Sequence, residues 1–199
     1  MPALLRPATL DDLESIYEVC TATGADGLDA SGAYGDPRLL GHHWAAPHVV
    51  ADASLCTVVN DDEGVAGYLV ATDDTTRFEE WCERSWWPAL REQYPVDAAL
   101  DPRDAALVTL LHEPEVSAAS IVRDYPAHLH INLLPRLQGM GLGRALIERL
   151  LGQLSERSVP GVHLGVSATN HRAIAFYEHL GFRQIDAEPD GLIMGLRLQ

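Results

Sequence analysis

Hydrophobic and polar positions along this chain switch between a period of two and a period near 3.6, and the switches mark its elements. Residues 3–8 read as a short strand. Thr9, with Asp12 three positions later, has the form of a helix capping box, and Leu13, Ile16, Tyr17 and Cys20 follow on one helical face that Gly24 ends. Residues 25–54 carry Gly27, Gly32, Gly35, Pro37, Gly41 and Pro47, which predicts an irregular region with one short helix, the kind of segment where selectivity often resides. Residues 55–60 and 65–72 are β-rich and flank a polar turn at Asp61-Asp62-Glu63-Gly64, so they are expected to pair as an antiparallel hairpin. Phe78, Trp81, Cys82 and Trp86 are spaced as a helix to about residue 91, with Pro88 as its kink or end. Residues 102–121 look helical in part, interrupted at Pro114.

From residue 127 the pattern sharpens. Residues 128–134 alternate as a strand that Pro135 stops, a glycine-rich turn follows, and Leu142, Leu146, Leu150 and Leu154 line a helix. Residues 161–168 form another strand. Asn170 can cap a helix carrying Ala173, Ile174, Tyr177 and Leu180, Gly181 suits that helix's C-terminus, and residues 182–187 and 192–198 pair around Pro189-Asp190-Gly191. Strands and helices in this order, without internal repeats, predict an α/β (α+β) domain in which a mixed sheet packs on helices.

The 199 residues, 47% hydrophobic and 22% charged, suit one domain over 1–199 with a sizeable core. The 14 basic residues are all arginine, and with 29 acids they leave a net charge of −15, which disfavours nucleic acid and anionic membranes as partners. The charge is uneven: residues 1–135 hold 7 Arg and 23 acids, residues 136–199 hold 7 Arg and 6 acids. An anionic ligand is therefore expected on the C-terminal third, and a cationic one is attracted by the rest. Cys20, Cys56 and Cys82 match neither a disulfide framework nor a zinc motif and are expected to be buried thiols. The first residues have no leader pattern and no apolar run is long enough to span a bilayer, so the expected location is cytoplasmic. Exposed apolar edges and four tryptophans would permit a homodimer.

The chemistry concentrates in Gln138-Gly139-Met140-Gly141-Leu142-Gly143-Arg144, between a strand and an amphipathic helix, where backbone N–H groups and a helix N-terminus can ring an anion. A Walker loop requires a lysine, and the chain has none. A dinucleotide loop requires glycine three after Gly141, where Arg144 stands. The pattern Q/R-x-x-G-x-G/A, met by Gln138, Gly141 and Gly143, resembles the acetyl-CoA loop of the GNAT N-acetyltransferase superfamily, and Asn170-x-x-Ala173-x-x-Phe176-Tyr177-Glu178-x-x-Gly181-Phe182 is similar to that superfamily's second hallmark. A narrower similarity, carried by residues 61–68, by Trp86-Trp87-Pro88 with Tyr94-Pro95 and by residues 176–182, is to the acetyltransferase-like C-terminal domain of animal O-GlcNAcases and its free-standing bacterial relatives. In the animal domain the cofactor loop is degenerate; here Gln138, Gly141 and Gly143 are kept. With no glycosidase portion in the 199 residues, sugar hydrolysis is not carried over.

The resemblance implies a GNAT-like, mostly antiparallel twisted sheet flanked by helices, with a splayed central strand pair. It implies acetyl-CoA as cosubstrate and an amine acceptor, whether a small molecule, a peptide or a protein lysine. The rival is a non-catalytic acetyl-CoA- or peptide-binding module. Backbone groups of Ile131, Asn132 and Leu133 would pair with the pantetheine arm, and those from Gly139 through Met140, Gly141, Leu142 and Gly143 to Arg144 would hold the pyrophosphate. Arg136 and Arg144 either balance phosphate charge or are solvated. Asn170 bonds the pantetheine, caps its helix, or both. Tyr177 resembles the family's general acid, or is only core. The family's usual glutamate base is absent near the strand at 127–133, which leaves His128 and His130, on one face of that strand, as bases or as core groups. Glu113, Glu115 and Asp124 are weaker candidates. His128-x-His130 has metal-ligand spacing, but no third ligand is in reach in sequence, so no metal is expected.

Overall fold

The computed structural model describes residues 3–96, 101–189 and 191–198. In chain order the elements are β1 (Leu4–Pro7), α1 (Leu13–Ala22), α2 (Arg38–Trp44), α3 (Ala46–Asp52), β2 (Thr57–Asp61) and β3 (Gly64–Thr72). There follow α4 (Thr75–Trp81), α5 (Trp87–Gln93), α6 (Ala105–His112), α7 (Ala119–Asp124), β4 (Ala127–Leu133) and α8 (Leu142–Glu156). The chain closes with β5 (Gly161–Ser167), α9 (His171–His179), β6 (Arg183–Glu188) and β7 (Gly191–Arg197). Asp190, in the turn expected between the last two strands, lies outside the described residues.

The seven strands form one sheet in the order β1-β2-β3-β4-β5-β7-β6. Every neighbouring pair is antiparallel except β4 and β5, which run parallel and pair only at Ala127↔Val162 and His128↔His163. Beyond those positions the two strands part, the splay that the resemblance implied. β4 is held instead by β3, from Thr72↔His128 to Gly67↔Leu133, and β5 by β7 along its whole length.

Side chains alternate across the sheet as a period of two requires. Tyr68 and Val70 of β3 enter an apolar cluster with α1, α2, α3, α5 and α6, whereas Leu69 and Ala71 enter a second cluster with α8, which Ala66 also joins because the register shifts between it and Tyr68. Being covered on both faces explains why residues 65–71 read as a continuous apolar run. Ala127 and Leu129 of β4 join the second cluster together with Leu146, Ile147, Leu150 and Leu154 of α8, which turns His128 and His130 toward the first.

The capping box forms as expected: the Thr9 N–H donates to Asp12 Oδ2 at 2.8 Å. Asp12 is also clamped by Arg6 at 2.6 and 2.8 Å, and that guanidinium holds its carboxyl down at a pKa of about 2. The three cysteines are buried free thiols. Residues 25–54 are more ordered than their glycines and prolines suggested, with α2 and α3 in place of one short helix. Long-range bonds account for this. The buried Asp104 carboxylate accepts from the Gly35 and Asp36 amides at 2.7 and 3.0 Å, and the Tyr17 hydroxyl meets His42 Nδ1 at 2.8 Å. Pro88 does not end its helix: a π-helical turn at Cys82–Trp86 precedes it, and Pro88 sits in the first turn of α5, where its missing N–H costs no bond. All four tryptophans pack on the first apolar cluster, which removes them from the argument for a homodimer. No helix among the described residues is long and apolar enough to cross a membrane.

Helices α1 and α2 cross at Gly41, where a Cβ would stand 2.2 Å from Cδ1 of the Tyr17 ring. Gly41→Ala should therefore destabilise the fold by about 1–3 kcal/mol through overpacking, read as a lower urea midpoint with an unchanged slope.

Candidate active site

Two cavities meet at the splay. The first, about 1030 Å³, is walled by Ile131, Asn132 and Leu133 of β4, by Gln138, Gly139, Gly141, Gly143 and Arg144 of the glycine-rich segment, and by Asn170, Arg172 and Tyr177 from the start and middle of α9. The second, about 780 Å³, is bordered by six carboxylates: Glu79, Glu80, Glu83, Glu115, Asp186 and Glu188. Trp44, Leu129, His130 and Gly165 line both. The opening between β4 and β5 thus joins a cavity with two arginines to an acid-walled one.

The glycine-rich segment takes its shape from backbone chemistry. Gly139 and Gly141 have φ of +77° and +79°, a region costly for other residues, and α8 begins immediately after Gly141. Gln138 fixes the loop to the end of β4 by donating from Nε2 to the Leu133 carbonyl at 2.9 Å, and its Oε1 accepts from Arg172 Nη1 at 2.8 Å. Arg172 is a cation that sequence reasoning passed over, although it sits in the first turn after the Asn170 cap.

The expected binding residues divide. The Asn170 side chain caps α9 by accepting from the Ala173 N–H at 3.1 Å while also lining the cavity. The Asn132 amide donates to Thr23 Oγ1, and both residues line the first cavity. Arg144 borders the cavity and pairs loosely with Glu148 at 3.2 Å, one helical turn on. Arg136 lies at the surface, where Asp61 and Glu63 of the β2–β3 hairpin pair with it at 2.6 and 3.5 Å, and it is not among the residues that line the first cavity. Met140 projects into solvent and Leu142 packs on the second apolar cluster, so only the backbone of these two can serve a ligand.

Tyr177 is buried beside Phe176 and Phe182, reaches the first cavity, and has a hydroxyl to which no described residue hydrogen-bonds. Burial raises its pKa, so the phenol keeps its proton at ordinary pH.

His128 and His130 stand within a larger group. His128 Nδ1 lies 2.8 Å from the Thr75 hydroxyl, whose oxygen is also 2.7 Å from the Pro126 carbonyl. His48 of α3 places Nε2 at 2.9 Å from His128 Nε2. His163 is anchored through Nδ1 to the Tyr125 carbonyl at 2.8 Å. Burial lowers the pKa of all four rings, that of His130 to about 4. The imidazole at the junction is therefore neutral, with a lone pair to offer. His48 is the third ring that the sequence argument against a metal lacked; no local spacing announces it, because it lies 80 residues from His128.

Residues 30–182 match the family model described as Acetyltransferase (GNAT) family. The chain belongs to that family. A solved structure, "Crystal structure of SsHAT", is 39% identical with a TM-score of 0.90 and covers 98% of both chains. Protein O-GlcNAcase of Rattus norvegicus is 24% identical over 184 residues, 91% of this chain but 20% of the relative, so this GNAT chain spans about a fifth of that protein's length. The [Ribosomal protein bS18]-alanine N-acetyltransferase of Escherichia coli K12 is 38% identical over 86 residues, 38% of this chain and 58% of that protein.

A tryptophan at Gly141 meets the backbone penalty and fills the cavity mouth, since nothing lies within 4 Å of the Cβ position there. Gly141→Trp should weaken acetyl-CoA binding at least about 100-fold in calorimetry, well beyond the ~1–2 kcal/mol of backbone strain alone. Burial also makes stability pH-dependent. His42 and His130 titrate near 4 when folded against 6.5 when exposed, so the unfolded chain takes up protons first as pH falls. Stability contributed above pH 6.5 is lost on the way to 4, and the melting temperature of the metal-free protein should drop by roughly 5–10 °C between about pH 7 and 5.

Proposed function

We propose that this GNAT protein is an acetyl-CoA-dependent N-acetyltransferase that passes the acetyl group directly to an amine entering through the acid-walled cavity. The observation that carries the reading is the junction at His130, where a cavity shaped for an anionic, extended ligand meets one lined by carboxylates. The residues present fit acetyl-CoA: positive-φ glycines shape a loop on the first cavity, α8 directs its N-terminus there, Arg144 and Arg172 add charge, and the edge of β4 facing the splay is free of β5 from Leu129 onward, with the Leu133 carbonyl taken by Gln138.

When bound, acetyl-CoA supplies an acetyl thioester, and the reaction exchanges its C–S bond for a C–N bond to the acceptor. The neutral His130 ring accepts the proton that the amine nitrogen sheds. The Tyr177 hydroxyl holds a proton for the departing sulfur. The six carboxylates of the second cavity raise the local concentration of a cationic amine. Small amines, peptide N-termini and lysine side chains all satisfy this chemistry.

Calorimetric titration with acetyl-CoA followed by a thiol-release assay on a panel of these amines tests the proposal. Turnover on at least one of them is expected, with Tyr177→Phe lowering kcat by about 10–100-fold while acetyl-CoA affinity stays within threefold. Tight binding with no turnover on any amine would overturn it in favour of a binding module.

A further inference from the structure

We propose that His48, His128 and His130 form a transition-metal site that binds zinc reversibly. The three residues come from α3 and from one face of β4, and one nitrogen of each lies within 4.8 Å of the other two. Imidazole donors without carboxylate or thiolate suit zinc, copper or nickel rather than magnesium or calcium.

The Nε2 atoms of His48 and His128 lie 2.9 Å apart, so in the metal-free protein one of these rings donates its proton to the other. His48 is buried against the Ala45 backbone, and its Nδ1 has no close hydrogen-bond partner among the described residues. A metal ion takes the place of the shared proton: both Nε2 atoms become ligands, each ring keeps its proton on Nδ1, and His130 supplies the third nitrogen. Tetrahedral zinc with Zn–N of about 2.0–2.1 Å needs nitrogens about 3.3 Å apart. The His48–His128 pair therefore opens by roughly 0.4 Å, and His130, within 4.8 Å, closes toward them. His128 then has the outer partner that metal-bound histidines usually have, its Nδ1–H donating to Thr75. His128 and His130 border the acid-walled cavity, so water or solute from it fills the fourth position.

This proposal stands on the cluster and not on the reading of transfer above. The zinc-bound and transfer-competent states are alternatives, since a lone pair holding zinc cannot accept a proton from an amine, and zinc is therefore expected to inhibit transfer.

The test uses the chelator-stripped full chain, titrated with Zn(II) against a chromophoric competitor and with Co(II) for its visible spectrum. One equivalent of zinc is expected, with Co(II) giving an intense four-coordinate spectrum that lacks a thiolate charge-transfer band. His48→Gln, similar in volume, and His130→Gln should each weaken zinc binding at least 100-fold, while His171→Ala on the exposed start of α9 leaves it unchanged. Substoichiometric binding, affinity unchanged in either glutamine variant, a six-coordinate Co(II) spectrum or a thiolate band would overturn the site. If a glutamine variant fails to fold by circular dichroism, the wild-type stoichiometry and Co(II) spectrum decide alone. Acetyl transfer unaffected by zinc bears only on the role given to His130 in the function proposed above.

Discussion

One parallel contact governs this structure. β4 and β5 can share only two residue pairs before twist and the connecting helix carry them apart, and each strand past that point relies on its outer neighbour for its hydrogen bonds. A sheet interrupted this way leaves backbone donors and acceptors on the inner edge of β4 that must find partners. It also leaves a passage through the middle of the molecule, which is why a side chain as ordinary as that of His130 can border two cavities at once.

The distribution of charge follows from the same opening. The lopsided count along the chain suggested an acidic portion set against a neutral one, but the fold assembles its acid wall from both: Glu79, Glu80 and Glu83 come from the helical stretch before α5, Glu115 from the link between α6 and α7, and Asp186 and Glu188 from β6. Glu80 and Glu83 pair with Arg84 and Arg91, at 3.5 and 2.6 Å, at exposed positions where such pairs contribute little to stability. Burial, with Glu115 and Asp186 nearby, pushes the Glu188 carboxyl up, as expected where like charges are kept together.

Where a feature is written in neighbouring residues, the sequence disclosed it. The capping box at Thr9 and Asp12, the β2–β3 hairpin, the α8 face and the glycine-rich turn are local patterns, and all form. Features that need distant partners were hidden. Residues 25–54 looked irregular because their order depends on Asp104 and on the Tyr17–His42 contact, which no nearby residue signals. Arg136 looked free to meet a phosphate because its position beside the loop was visible and its ion pair with Asp61, 75 residues earlier, was not. Arg172 and His48 were missed for the same reason. The π-helical turn escaped notice because the helical apolar spacing continues through it, and only the backbone accommodates Pro88.

Among the described residues the ion pairs, Arg6–Asp12, Arg136–Asp61 and Arg157–Asp73 among them, are made by guanidinium groups, and the chain has no lysine. An acetyl thioester acylates free amines slowly even without a catalyst, and each lysine so modified loses its charge. A guanidinium, protonated at every physiological pH, offers no such nucleophile. The ion pairs of this scaffold therefore present no lysine amine for an acetyl thioester to neutralise.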